Sequence, residues 1–142
     1  MTQDFSQYIQ PGRVHRRLYS DPEIFEMEMQ RIFGRAWVYI GHESQVKNPG
    51  DYFATQIGRK AVVMVRDNDG TIHVVHNQCA HRGAMVVATE KGNAPEFTCC
   101  YHGWTYHLDG RIKGVPLNHG YPRDFDAKNP KVAMLAVPRA GC

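Results

Sequence analysis

Two short runs carry the chemistry in this chain. One is Cys79-Ala80-His81, the other Cys99-Cys100-Tyr101-His102, with seventeen residues between His81 and Cys99. Each supplies one thiol and one imidazole. Two thiolates and two neutral imidazoles satisfy a tetrahedral zinc. Zinc fingers, however, group cysteine with cysteine and histidine with histidine along the chain, and here each run is mixed. A mixed pattern suits a binuclear [2Fe–2S] centre in which one iron takes two Cys and the other two His. Each run can then give its thiolate to one iron and its imidazole to the other. Each run follows a strand candidate and carries a glycine, Gly83 or Gly103. Two loops could thus close over one centre from opposite sides.

Short strands must position those loops. Strand candidates are Trp37–Ile40, Asp51–Ile57, Lys60–Arg66, Thr71–His76, Met85–Thr89, Glu96–Cys99, Trp104–Leu108, Arg111–Val115 and a stretch within Lys131–Val137. Asn48-Pro49-Gly50, Asp67-Asn68-Asp69-Gly70 and Asp109-Gly110 read as turns between them. Many short strands with regular turns predict a mostly β fold, a small antiparallel sandwich or barrel. One helix precedes it. Ser20-Asp21-Pro22-Glu23 reads as a capping box with Ser20 as N-cap, and Pro22 suits the first turn. Phe25, Met29, Ile32, Phe33 and Ala36 recur at helical spacing, so a helix near 22–35 is expected to dock by that face. The chain therefore divides into an arm over 1–19, broken by Pro11-Gly12, a helical segment over 20–36, and the β domain over 37–142.

Composition agrees with this and excludes other classes. At 142 residues, 42 % hydrophobic and 22 % charged, the chain is long enough for one core. No apolar run reaches the length of a bilayer span, so no membrane role is expected. The net charge of +3 is scattered, with no basic stripe among aromatics, and gives nucleic-acid binding little support. The polar start lacks a secretory signal. A cytoplasmic location follows as the default, where four reduced cysteines point to metal rather than disulfides.

The flanks of the two runs show a family resemblance. Cys79-Ala80-His81-Arg82-Gly83-Ala84 and Tyr101-His102-Gly103-Trp104-Thr105-Tyr106 resemble the Rieske iron–sulfur motifs of the large (α) subunits of aromatic-ring-hydroxylating oxygenases. Tyr19-Ser20-Asp21-Pro22, Arg31-Ile32-Phe33, Ala36-Trp37 and Pro49-Gly50-Asp51-Tyr52 resemble the same family's N-terminal region. The resemblance covers residues 13–137. It implies a Rieske [2Fe–2S] cluster with Cys79 and Cys99 on one iron and His81 and His102 on the other. Backbone amides around Arg82, Gly83, Gly103 and Trp104 are expected to donate to the sulfurs. Cys100 stands where the family often has Pro. The C-x-x-H register starting at Cys99 fits better than one starting at Cys100, so Cys100 is expected to be a free buried thiol. Cys142 has no inferable role. His15, His42, His107 and His119 read as surface or packing residues, and His73 and His76 as pointing to opposite faces of one strand.

The implied role is electron transfer within a ring-hydroxylating dioxygenase. The domain would accept electrons from a ferredoxin or an NAD(P)H-dependent reductase. It would pass them to mononuclear iron in the oxygenase catalytic domain, of its own or a neighbouring subunit. That iron sits in a 2-His-1-carboxylate triad, and no such second set occurs here. The catalytic domain is therefore expected to be absent and this chain alone not to hydroxylate. A stand-alone Rieske-type ferredoxin is the alternative, disfavoured because a carrier would not need the arm and helix. A structural zinc module is the third reading.

Overall fold

The computed structural model describes residues 4–122, 125–126 and 129–138, and the chain divides into two units, Met1–Val38 and Tyr39–Cys142. In the first unit Pro11-Gly12 does not break regular structure; it turns it. β1 (Ile9–Gln10) and β2 (Arg13–Val14) pair antiparallel across it. Gly12 adopts φ +76°, the left-handed conformation that position i+2 of a type II turn requires after a proline.

Two helical segments follow, α1 (Arg17–Ser20) and α2 (Pro22–Glu28). The cap of α2 is Asp21 rather than Ser20. Asp21 is extended, at φ −86° and ψ 120°, and its carboxylate accepts from the Glu23 N–H at 3.0 Å. Ser20 ends α1, and its hydroxyl donates back to the Arg16 carbonyl. The helix stops short of the expected Arg35, because Met29–Phe33 widens into a π turn. A π turn breaks the 3.6-residue period. Of the predicted apolar stripe, Phe25, Ile32 and Phe33 are exposed, and the buried side chain of α2 is Ile24.

The second unit holds two antiparallel sheets. One has the order β5-β4-β3-β6, from β3 (Asp51–Ile57), β4 (Lys60–Arg66), β5 (Ile72–His76) and β6 (Lys91–Asn93). The other has the order β7-β8-β9, from β7 (Phe97–Thr98), β8 (Thr105–Tyr106) and β9 (Ile112–Gly114). Among the described residues neither sheet closes into a barrel, which leaves the sandwich half of the expectation. β4 is apolar without alternation because both its faces are covered. Val63 and Val65 pack with Val75, Phe97, Trp104, Tyr106, Leu108 and Met134, a cluster drawn from both sheets. Val62 and Met64 pack with Val46 and Val74 on the other side. Each fully buried Val of this kind stabilises by about 1.5–3 kcal/mol.

Three expected strands do not form. Residues 37–40 are irregular, with Trp37 and Tyr39 exposed. Their aromatic and β-branched character finds no neighbouring strand to pair with. Residues 85–89 are also irregular, although Val86 and Val87 are buried. Their backbone is held by one side chain instead. Asn77, 5 % exposed, accepts from the Val86 and Val87 N–H groups and donates to the Val87 carbonyl. Near the end of the chain, Ala136 makes a single bridge to Val75, and Leu135 and Val137 bond to His76 and Val74 beside β5. The turn before β9 admits only glycine: Gly110 has φ +89°, and a Cβ there would lie 2.3 Å from the Met134 carbonyl oxygen. No helix among the described residues is long and apolar enough to cross a membrane.

Candidate metal centre

The two runs fold into loops of the same design. In the first, which leaves β5, the Cys79 N–H donates to the Ala84 carbonyl and the Gly83 N–H donates to the Cys79 carbonyl, both at 2.8 Å. In the second, which leaves β7, the Cys99 N–H donates to the Trp104 carbonyl at 2.8 Å and the Gly103 N–H to the Cys99 carbonyl at 2.9 Å. Gly83 and Gly103 have φ +73° and +71°. A glycine four residues after each cysteine thus allows the same left-handed turn in both loops. The Gly83 and Gly103 N–H groups, two of the amides expected to donate to sulfur, are used in these turns.

Between the loops, like meets like. The thiols of Cys79 and Cys99, 3 % and 2 % exposed, lie against each other. The rings of His81 and His102 meet edge to face with centroids 4.7 Å apart. The sulfurs form the floor and the imidazoles the rim, where His102 is exposed. Each ring is braced. His81 stacks on Trp104 at 4.9 Å and 10°, and His102 lies 3.9 Å from Tyr101. Trp104 is fixed in turn by donating its indole N–H to the Tyr121 hydroxyl at 3.2 Å.

The electrostatics follow from burial. Desolvation raises the Cys99 thiol above its ordinary value, while the N–H groups of Tyr101 and His102 pull the other way and Cys79 adds to the rise. Burial, then His102 and Arg82, lower the His81 imidazole, which favours its neutral form. Burial first, and then the bond to Cys79, hold the Tyr106 phenol far above its ordinary range. Tyr106 is fully buried; its oxygen lies 3.0 Å from the Cys79 sulfur and accepts from the Ala80 N–H at 3.1 Å. A phenol that keeps its proton is the donor toward a thiolate.

One atom points to a missing partner. Nδ1 of His81 is buried without a hydrogen bond. A buried polar atom left unmet is costly, and a metal on that side of the ring would meet it. No three His, Cys, Asp or Glu side chains among the described residues converge to hold one ion. The donors are grouped as two sulfurs and two nitrogens. This set fits a binuclear group better than a single tetrahedral ion, whose donors must all meet at one point.

All four predicted residues are thus brought together. Cys100 is not buried as expected; it is an exposed free thiol on the outer turn of its loop. Cys142 lies outside the described residues. His42 has a role that sequence reasoning missed, capping the turn Glu43–Gln45 by accepting from the Ser44 N–H. Sequence reasoning also gave no role to Tyr106 or Asn77. Tyr106 closes the second quoted motif, and that position was its one signal. Asn77 had none beyond a polar residue ending an apolar strand.

Paired loops on a β scaffold, each with one thiol and one imidazole, are the arrangement of an iron–sulfur β domain. Residues 36–131 match the Rieske [2Fe–2S] domain, and the chain belongs to that family. It is 45 % identical over 107 residues to the benzene 1,2-dioxygenase α subunit of Pseudomonas putida, a match covering 75 % of this chain and 24 % of that protein. Naphthalene 1,2-dioxygenase from a Rhodococcus species superposes with a TM-score of 0.86 at 34 % identity, over 95 % of this chain and 30 % of that one. A quaternary ammonium Rieske monooxygenase, whose structure is described as bearing on inter-subunit electron transfer, superposes with a TM-score of 0.76 at 30 % identity, over 85 % and 32 %. The chain spans about a quarter of the length of the dioxygenase α subunit it matches.

Proposed function

We propose that Cys79 and Cys99 bind one iron and His81 and His102 the other iron of a Rieske [2Fe–2S] cluster, and that the domain relays single electrons in a ring-hydroxylating dioxygenase. The observation that carries this reading is the sorting of donors, thiol against thiol and imidazole against imidazole, with His81 Nδ1 buried and unmet. When bound, such a cluster supplies a one-electron couple, at a higher potential than an all-cysteine cluster. The protein's part is to hold it. The congruent loops fix the four donors. Trp104 and Tyr101 orient the rings. The valines, Phe97 and Leu108 keep water from the sulfurs. His102 at the rim offers the acceptor an edge to approach.

The rest of the reading follows from the relatives. The naphthalene dioxygenase match extends over 95 % of this chain, so it includes residues before the β domain. A stand-alone carrier has no evident need of them. This supports placing the domain in an oxygenase α subunit, with electrons supplied by a ferredoxin or an NAD(P)H-dependent reductase. The acceptor would be mononuclear iron in the parent's catalytic domain, of the same or a neighbouring subunit, and the substrate an aromatic ring. The reading places the protein in the cytoplasm, where its thiols stay reduced. The test is EPR on the anaerobically reduced protein, with iron and sulfide counted on the same sample. A Rieske-type signal with about two irons and two sulfides per chain is expected. Stoichiometric zinc with no signal would refute the proposal in favour of a structural zinc module.

A further inference from the structure

Beyond β9 an aromatic cluster reaches His81 through Trp104. Leu117 takes a left-handed φ of +53°, and the Gly120 N–H donates to its carbonyl at 2.8 Å, a tight turn that leads into Tyr121. Leucine seldom adopts that conformation, and such strain persists where neighbouring contacts hold it. Those contacts are aromatic. Tyr121 and Phe125 stack on each other at 4.6 Å and 29°. Both meet the Trp104 indole edge to face, at 6.1 and 6.0 Å. The Tyr121 hydroxyl also accepts the indole N–H at 3.2 Å. Trp104 in turn lies nearly parallel to the His81 ring, at 4.9 Å and 10°. His102 is braced differently, by Tyr101, which is itself exposed and whose ring is tilted by 34°.

We propose that Tyr121 and Phe125 are positioning residues that clasp the Trp104 indole against His81 and so hold the reduction potential of the centre down. The inference rests on the cluster reading above, with His81 as a ligand. Its physical basis is the ring quadrupole. The face of an indole is its negative side, and it attracts a positively charged neighbour. In the proposed cluster, an imidazole bound to iron would carry more positive charge when that iron is oxidised. A near-parallel indole then stabilises the oxidised state more than the reduced one. The Tyr121 hydrogen bond strengthens this in two ways. It fixes the indole plane, and an oxygen accepting the N–H leaves more electron density on the ring. Phe125 keeps Tyr121 in place by stacking on it. A purely structural Tyr121 would instead add to folding stability and leave the potential alone.

The test compares the cluster-loaded parent with Tyr121→Phe, Phe125→Leu and Tyr52→Phe. Each is followed by redox titration, by pulsed EPR of the nitrogen couplings in the reduced state, and by urea denaturation. Tyr121→Phe removes only the hydroxyl that accepts the indole N–H. Tyr52→Phe is the control: it removes a hydroxyl bonded to Thr89 at 2.7 Å, from a ring packed on the same core. Tyr121→Phe is expected to shift the oxidation equilibrium about threefold toward the reduced form, a rise of about 30 mV at 59 mV per tenfold. One of the two imidazole nitrogen couplings should change while the other stays. Phe125→Leu should shift the potential in the same direction, by less. Tyr52→Phe is expected to lower the urea midpoint and to keep the parent's potential and couplings. A loaded Tyr121→Phe protein at the parent's potential, or below it, would overturn the proposal, as would an equal rise in Tyr52→Phe. If Tyr121→Phe takes up no cluster, loaded Phe125→Leu decides on the same terms. A parent chain that takes up no iron and sulfide defeats the reading beneath; a loaded parent whose potential ignores Tyr121 defeats the tuning alone.

Discussion

Tyr106→Phe isolates one hydrogen bond at the centre. The phenol oxygen lies 3.0 Å from the Cys79 sulfur, and the side chain is fully buried. Hydrogen bonds to charged groups contribute about 1.5–3 kcal/mol. In the proposed cluster, reduction would add one negative charge, and any part of it carried by the Cys79 sulfur would make the bond stronger in the reduced state. If about 1 kcal/mol of it is differential, the one-electron relation of 59 mV per tenfold converts this to about 40 mV. The variant is expected to titrate about 40 mV below the parent, in a dye-mediated redox titration read by EPR. The substitution also strips the Ala80 N–H of its acceptor, a separate cost of about 1–3 kcal/mol in unfolding free energy. The two readouts are independent. A loaded variant whose stability falls while its potential stays put, or rises, would refute the tuning role and leave Tyr106 a packing residue.

Three further outcomes follow from the structure. Cys79→Ser and His102→Cys should each abolish the parent visible and EPR spectra while Cys100→Ser preserves them, because Cys100 is exposed whereas Cys79 and Cys99 are buried; a bleached Cys100→Ser would move the ligand register by one. Asn77→Ala should destabilise by about 2–4 kcal/mol in urea denaturation, since two buried N–H groups and one carbonyl lose their partner together; an unchanged midpoint would show that residues 85–87 are held by other means. Asp51 has its carboxyl lowered below 3.8, first by the Asn93 side chain and then by the Asn48 N–H. A depressed carboxylate contributes stability above its unfolded pKa and loses it as pH falls through the folded one. The gap in thermal midpoint between the parent and Asp51→Asn should thus be open at neutral pH and close below about pH 4, and a pH-independent gap would contradict the assignment.

The candidate site was legible in the sequence because metal chemistry is local. A thiol and an imidazole two or three residues apart, followed by glycine, already define a loop that can grip a centre. Two such loops narrow the choice of centre. The long strands β3, β4 and β5 were legible too, since strong turns bound them and the buried middle of β4 is an unbroken apolar run. What the sequence did not show were the features that depend on neighbours. Whether 37–40 and 85–89 become strands rests on a partner edge, and at 85–89 the Asn77 side chain takes the place of one. The end of the helix was misplaced because a π turn at Met29 shifts every later residue around the axis. Cys100 looked like a core thiol by type, but its place on the outer turn of the loop put it in solvent. Tertiary structure alone decided how the donors sort. Spacing along the chain mixes cysteine with histidine, and only the superposition of two congruent loops brings sulfur to sulfur and ring to ring. It also set Tyr106 against Cys79 across 27 residues, because pairing between β7 and β8 carries that side chain beneath the first loop.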